Sequence, residues 1–242
     1  MARPNDDGEE KESSSTFRPA GDSAFPLASI QFLLKFTEVT SPPDLKPSSF
    51  LERVQILGVL ILGLWGIEIL DRFLFDHSLQ NHGIHPRSFS HLGGLVFAPF
   101  LHAGWSHLIG NSASLLVLGS LILASGWRDF LAVSIAAAIT GGVVVWLIGK
   151  SGTNHIGASS VVFGYLAFLL ASGYYRPSPT TILVSVLVLF FYGGSLLGIL
   201  PTGDARASGV SWEGHLGGAI GGLLIARERR RKSSSRPGIS GS

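Results

Sequence analysis

The 242-residue chain contains no cysteine, which excludes disulfide bonds, thiol catalysis and cysteine-ligated metals. It is also poor in charge: Asp, Glu, Lys and Arg make up 14% of its residues, whereas a soluble domain has about a quarter. Most of these charges lie in residues 1–53 and 227–242. Long, nearly uncharged stretches between polar ends are typical of a membrane protein.

The N-terminus lacks a basic region before an apolar core, so a cleaved signal peptide is not expected. The basic run 227–232 directly follows an apolar segment. Such a run is more typical of the cytoplasmic end of a transmembrane helix than of a nucleic-acid site. The net charge of +2 therefore does not predict a nucleic-acid partner.

Six apolar segments approach the length of about 20 residues that crosses a bilayer. They are 54–70, 106–125, 130–148, 159–174, 181–200 and 212–226. We therefore predict an all-α membrane protein, with a membrane domain at 51–227 and a basic cytoplasmic tail at 228–242. Residues 1–50 are predicted to be a polar, disordered cytoplasmic region, in which 25–36 is either an interfacial helix or unstructured.

Lys and Arg near the ends of the segments predict the orientation, because they concentrate on the cytoplasmic side. An even number of crossings, with both termini cytoplasmic, places ten of them inside and four outside. Those inside are Lys46, Arg53, Arg128, Arg176, Arg227, Arg229, Arg230, Arg231, Lys232 and Arg236, and those outside are Arg72, Arg87, Lys150 and Arg206. The long segment 71–105 is then extracytoplasmic. Its apolar part, 92–101, predicts a loop that lies partly in the membrane, buried against protein.

Polar side chains within membrane helices usually have a reason to be there. Three segments have them near their outer ends: His107 and Asn111 in the second, Ser159 in the fourth, and His215 in the sixth. At about 1.5 Å per residue, Asn111 and Ser159 lie about 25 Å from the cytoplasmic ends of their helices, and His215 roughly 18 Å. In a hydrocarbon core of about 30 Å, we expect all of them to meet in one shallow, outward-facing cavity.

These residue types indicate acyl transfer. A serine hydroxyl becomes a nucleophile when a base takes its proton, and neutral histidine suits that role near pH 7. We therefore predict that Ser159 and His215 form a catalytic dyad. The Asn111 amide, the His107 imidazole and the backbone N–H of Ser159 would stabilise the oxyanion.

No acidic residue is predicted to orient His215, because Glu213 lies on a different face of the helix. Phe163 lies one turn after Ser159, and its ring could hold the imidazole by stacking instead.

Glycines are predicted to bring the elements of this site together. Gly157 allows a tight backbone just before Ser159. Gly214, Gly218 and Gly222 recur every fourth residue, a spacing that lets the sixth helix pack closely against the fourth, with Gly164 contributing from the other side.

A zinc site formed by His102, His107 and His215 is an alternative interpretation. A spacing of five residues between the first two suits one helix face poorly, and the chain has no H-E-x-x-H motif. No metal or cofactor is therefore predicted. His102 is assigned a structural role, and His155 is interpreted as a histidine of a surface loop.

The ordered motifs resemble those of the rhomboid intramembrane proteases. That family has H-x-x-x-N on the second helix, G-x-S-x at the start of the fourth, and a histidine in a glycine-rich sixth. The matching residues are His107…Asn111, Gly157-Ala158-Ser159-Ser160, and Gly214-His215 followed by Gly217 and Gly218. The resemblance covers about residues 51–227.

The resemblance implies a six-transmembrane-helix bundle with a long, partly membrane-embedded first extracytoplasmic loop. It also implies hydrolysis of membrane-anchored protein substrates at the cell membrane. Ser159 would be the nucleophile, His215 the general base and acid, and His107 and Asn111 would line the oxyanion hole.

Three departures from the family pattern are visible. Ser160 replaces the usual glycine after the nucleophile, Phe163 replaces the usual tyrosine, and Pro86-Arg87 stands where a Trp-Arg pair is common. A catalytically inactive relative that binds membrane clients is the main alternative, although such relatives typically lack the serine or the histidine. A transporter is disfavoured because the polar residues cluster near one face and no inverted repeat is evident.

Overall fold

The computed structural model describes residues 49–202 and 210–234. The predictions for residues 1–48, for the loop that contains Asp204 and Arg206, and for residues 235–242 lie outside this part of the chain. Within it, six helices longer than ten residues lie at the six predicted positions. They are α1 (Phe50–Leu74), α2 (Trp105–Ser125), α3 (Trp127–Ile148), α4 (Ser159–Tyr175), α5 (Pro179–Tyr192) and α6 (Trp212–Ser234).

In the described part of the chain, four stretches are long and apolar enough to cross a membrane: Leu51–Leu74, Trp105–Ser125, Trp127–Ile148 and Pro179–Ile199. α4 is also apolar but has only 17 residues, and α6 includes the basic run. The chain is therefore an all-helical membrane protein with about four to five apolar spans.

The ends of the helices follow from local chemistry. Ser49 begins α1 with a capping box to Glu52, and Ser178 begins α5 with the same arrangement to Thr181. α6 continues past the predicted end at residue 226, because Arg, Lys and Glu are good helix formers. α5 ends earlier than predicted, and a 3₁₀ segment, Gly193–Ile199, follows it.

α4 forms the centre of the bundle, and most of its side chains are buried. α6 packs against it so closely that a Cβ at Gly218 would clash with the backbone of Ser160, and one at Gly222 with the backbone of Gly164. Gly218 and Gly222 thus lie at the closest approach of the two helices. The third glycine, Gly214, instead faces the side chains of Ser211 and Val145.

The long segment between α1 and α2 contains only short helical turns, among them Gly94–Phe97. Arg87 binds it to the end of α3, donating to the carbonyls of Leu147 (2.9 Å) and Gly149 (2.8 Å). Ile84 pairs with His155 in a single antiparallel bridge. The segment is thus bound to the polypeptide that leads from α3 to Ser159, and Arg87 anchors it without the tryptophan that is common in the family.

The end of the bundle at which α4 begins is called the site end below, and the opposite end the basic end. At the basic end, Asp129 of α3 is buried and bound by Arg229 of α6 (2.6 Å) and by Arg176 (3.6 Å). These ion pairs fasten three helices together, away from the polar residues of the site end.

Candidate active site

Ser159 is the first residue of α4, and a glycine turn sets its position. Gly157 has φ +117°, in the left-handed region that favours glycine. Its N–H donates to the carbonyl of Ala98 (2.8 Å) in the long loop. A Cβ at Gly157 would lie 2.5 Å from Cε1 of His107, so the imidazole packs directly on the turn before Ser159.

His215 lies in the first turn of α6 and is buried. Its ring stacks on Phe163 with the centroids 4.0 Å apart and the planes at 11°. Its Nδ1 lies 3.0 Å from the carbonyl oxygen of Gly198, in the segment after α5. Because a carbonyl only accepts, Nδ1 carries the proton, and the lone pair of Nε2 is free to act as a base.

His107 and Asn111 lie one turn apart on α2 and face the same turn as Ser159. Nδ2 of Asn111 would lie 3.5 Å from a Cβ at Gly157. Asn111 is buried, and within the described residues its Nδ2 has no hydrogen-bond partner. Since buried donors are nearly always paired, an unpaired amide beside Ser159 is typical of a binding or reaction site.

The four predicted residues therefore gather at one end of the bundle. Phe163, one turn along α4 from Ser159, holds the ring of His215 beside that helix. In the part of the chain that the structure describes, no hydrogen bond joins Ser159 to His215. Such bonds are often long in the free state of an enzyme and shorten when substrate binds.

A small cavity of about 20 Å³ reaches Ser159, and Ser160, Ser211 and His155 are among its lining residues. A volume of roughly 10–15 Å³ is enough to hold one water molecule. The cavity is thus large enough to hold a water molecule beside Ser159.

His155 is half-buried rather than a free surface-loop residue, so that interpretation is corrected. Thr153 Oγ1 donates to the Lys150 carbonyl (2.6 Å) and therefore accepts from Nε2 of His155 (2.7 Å). Nδ1 then accepts from the hydroxyl of Ser211 (2.8 Å), which in turn accepts from the N–H of Gly214 (3.2 Å). The neutral imidazole completes this chain of bonds.

Burial lowers the pKa of His155 below its ordinary value, and nearby His85 acts in the same direction, while Glu213 opposes both. The two partners lie at the same distance along the chain from the two residues of the predicted dyad. His155 lies four residues before Ser159, and Ser211 lies four residues before His215. One bond between them therefore ties together the two turns that carry the predicted dyad.

Ser160 fits because the facing residue on α3 is small. A Cβ at Gly141 would lie 2.6 Å from the Cβ of Ser160, so the glycine leaves room for the serine. His102 is buried, with its ring edge-on to His107 at 5.2 Å, and both of its nitrogens lack partners among the described residues. In residues 49–202 and 210–234, no three His, Asp or Glu side chains are grouped as a metal site requires.

The sequence matches the rhomboid domain family over residues 86–231. It is 44% identical over 195 residues to an uncharacterised protein of Mycobacterium leprae, with 76% of each chain covered. An uncharacterised protein of Mycobacterium tuberculosis is 42% identical over 185 residues, which cover 72% of this chain and 76% of that one. Rhomboid-like protease 5 of Toxoplasma gondii is 32% identical over 161 residues, 58% of this chain and 18% of that one. The family match spans more than half of the sequence, and the chain therefore belongs to the rhomboid family.

Proposed function

We propose that the protein is an intramembrane serine endopeptidase that hydrolyses peptide bonds of membrane-anchored proteins. The observation that most supports this is the state of His215. Its ring is stacked on Phe163, its Nδ1 proton is donated to Gly198, and its Nε2, which carries the lone pair, has no hydrogen-bond partner among the described residues. A base in this state, beside a helix that begins with serine, is suited to acyl transfer.

In the proposed reaction, Ser159 Oγ attacks the carbonyl carbon of the scissile bond while Nε2 of His215 takes its proton. The tetrahedral intermediate collapses, the C–N bond breaks, and the imidazolium gives its proton to the leaving amine. A water molecule then attacks the acyl ester, again with His215 as base, and releases the carboxylic acid and the free serine.

The developing oxyanion needs donors that are already in position. Nδ2 of Asn111 is buried, unpaired among the described residues, and next to the turn that precedes Ser159. The His107 ring touches the same turn, and the first N–H groups of α4 are free of helical partners. These groups supply the proposed oxyanion hole.

The backbone carbonyl of Gly198 takes the place of a carboxylate as the orienting group. It fixes the tautomer of His215, which is one role of the aspartate in a catalytic triad. A neutral carbonyl stabilises the imidazolium less than a carboxylate would. We therefore expect slower turnover than in a triad enzyme.

The proposal includes the topology that the sequence predicts: six membrane-crossing helices, both termini in the cytoplasm, and the site end facing outward. The length of α4 is consistent with the proposed depth of the site, since 17 residues span only about 26 Å and would leave Ser159 below the surface of a core of about 30 Å. Substrates would be transmembrane proteins that reach the site from the bilayer.

The test is labelling of the purified protein with a fluorophosphonate probe in proteoliposomes. Wild type should be labelled, and Ser159→Ala and His215→Ala should not. Ser160→Ala is the matched control, because it removes a neighbouring hydroxyl and should keep the label. Labelling that survives Ser159→Ala would overturn the assignment of the nucleophile.

A catalytically inactive protein that binds membrane clients is the second candidate. The absence of a Ser159–His215 hydrogen bond in the described residues is the observation that favours it. Wild-type protein that is folded but never labelled, and that cleaves no transmembrane peptide, would support this candidate over the protease.

A further inference from the structure

A larger cavity lies among α1, α3 and α4, and no residue of α5 or α6 lines it. Its volume is about 370 Å³, within the range of roughly 300–1,000 Å³ typical of small-molecule sites. Leu64 of α1, Leu115 of α2, Ile135 of α3 and Tyr165 of α4 are among the residues that line it.

The cavity lies at the depth of the lipid tails. Its lining on α3 runs from Phe130 to Ile139, about 14 Å along a helix that spans the membrane. Leu95 of the long loop packs against Gly142, one turn further toward the site end. The loop therefore lies across the cavity at that end, while exposed Val96 and Phe100 line its rim.

The lining offers almost no hydrogen bonding to a ligand. Its two hydroxyls, on Ser134 and Tyr165, lie 2.6 Å apart and bind each other. Ser134 donates its proton to the carbonyl of Phe130 (2.7 Å), so Tyr165 donates to Ser134. Apolar cavities of this kind do not hold water, and an extended peptide in them would leave its backbone groups unpaired.

We propose that this cavity is a binding site for one acyl chain of a membrane lipid. The surrounding bilayer supplies this chemistry at this depth, and an acyl chain needs no hydrogen-bond partner. A transmembrane substrate helix, with a diameter of about 10 Å, is too wide for a cavity of about 370 Å³. The proposal depends on membrane insertion alone, not on the proposed protease activity.

The bound chain would lie directly behind the candidate active site. Pro99 and Ala138 line both this cavity and the small cavity at Ser159. The neighbouring Ala98 carbonyl accepts from the N–H of Gly157, two residues before Ser159. The acyl chain would therefore support the loop and the wall against which the serine turn is held.

The test uses a phospholipid with a photoreactive diazirine in the middle of one acyl chain. The full chain is reconstituted in nanodiscs with increasing fractions of this lipid, irradiated, and mapped by peptide mass spectrometry. We expect labelling of Leu131 and Ile139 that saturates as the probe fraction rises. The exposed face of α5 should be labelled in simple proportion to the probe fraction, as for any lipid that only touches the surface.

Ile135→Trp fills the cavity and should reduce labelling of Leu131 and Ile139 at least about fivefold. Leu183→Trp, on the exposed face of α5, is the matched control and should leave this labelling unchanged. Leu131→Phe, measured at Ile139, is the milder filling variant if Ile135→Trp does not fold. Labelling that does not saturate, or that Ile135→Trp and Leu131→Phe do not reduce, overturns the proposal. The labelling pattern should be the same in Ser159→Ala. The result therefore does not depend on whether the proposed protease function is correct.

Discussion

α5 and α6 both pack against α4, but they do so in different ways. α6 meets α4 backbone to backbone, since a side chain at Gly218 or Gly222 would clash with main-chain atoms of α4. α5 meets it mainly through the side chain of Ser185, whose hydroxyl donates to the carbonyl of Leu169 (2.8 Å) and which also faces Gly173, and Val188 is the buried residue among those described in α5. A contact between two backbones fixes the distance between helices, whereas we expect a contact made by a side chain to adjust more easily.

His215 is held by contacts from two regions that differ in this way. The close contact of α6 with α4 fixes the imidazole over Phe163. The carbonyl that sets its tautomer belongs to Gly198, in the segment that continues from α5. The position of the base is thus held rigidly, whereas its protonation state depends on the more loosely packed part of the bundle.

The most severe way to break this arrangement is Gly218→Ala. The added methyl would overlap the carbonyl of Ser160, so α6 must move away from α4. Overpacking costs about 1–3 kcal/mol of stability, and a displacement of about 1 Å from the reaction geometry costs on the order of 100-fold in rate. We expect at least that loss in fluorophosphonate labelling, together with a lower melting temperature.

Gly63→Ala in α1 is the control for this substitution, because no atom lies within 4 Å of its added Cβ. It should leave labelling unchanged and slightly stabilise the helix, by up to about 1 kcal/mol. If Gly218→Ala labels and melts like wild type, the contact between α4 and α6 is not as close as described.

A second substitution tests the packing of the turn that precedes Ser159. Gly157→Ala would place a methyl group 2.5 Å from the His107 ring, at a φ of +117°. Backbone strain of this kind costs about 1–3 kcal/mol, and 2 kcal/mol corresponds to about 30-fold in rate. We expect labelling to slow by about that factor.

Gly152→Ala separates backbone strain from the contact with His107. Gly152 also has a positive φ, of +79°, but no atom lies within 4 Å of its added Cβ. It should reduce stability and leave the labelling rate near that of wild type. Equal loss of labelling in both variants would show that strain alone is responsible.

The close contact between α4 and α6 could be predicted from the sequence. A glycine spacing of four residues has few interpretations in a membrane helix, and polar residues among apolar ones are conspicuous. The apolar segments predict the helices, the glycine spacing predicts the approach of Gly218 to α4, and the position of Phe163 one turn after Ser159 suggests its stacking on His215. Ser160, a departure from the family pattern, is explained by the glycine that faces it on α3.

Three features of the structure could not be predicted from the sequence. Gly198 acts through its carbonyl, which every residue has, so no side chain marks its role. His155 and Ser211 lie 56 residues apart, and only the fold shows that they meet. The lipid-depth cavity arises from the shapes of four elements together, and no short pattern in the sequence encodes it.

Two glycines in the 3₁₀ segment Gly193–Ile199 test the contact that this segment makes with His215. An added Cβ at Gly198 would lie 3.1 Å from Phe163 and 3.2 Å from Nδ1 of His215, whereas one at Gly194 has no neighbour within 4 Å. Gly198→Ala should push the segment away and weaken its bond to His215. Since one hydrogen bond contributes about 1 kcal/mol, labelling should slow by roughly five- to tenfold.

Gly194→Ala is the control for this substitution and should label like wild type. Gly198→Ala should retain the wild-type melting temperature, because the segment is loosely packed and can move. A large loss of stability in Gly198→Ala would instead mean that the α5 side is as rigid as the α6 side.

The smallest effect is expected from the bond between His155 and Ser211, which joins the two turns at the site end. The pKa of His155 is lowered by burial, so the unfolded chain binds this proton more readily than the folded one. The stabilisation is therefore complete above the ordinary value of 6.5 and is lost as the pH falls below it. We expect His155→Ala to lower stability by about 1 kcal/mol at pH 8 and by less at pH 5.

Thermal unfolding of the reconstituted protein between pH 5 and pH 8 measures this difference. His82→Ala, at an exposed histidine of the long loop, should follow wild type at every pH. A penalty for His155→Ala that is equal at both ends of this range would assign His155 a packing role alone. A penalty confined to pH 8 would show that the neutral imidazole bonded to Ser211 holds the two turns together, since protonation leaves Nδ1 unable to accept from that hydroxyl.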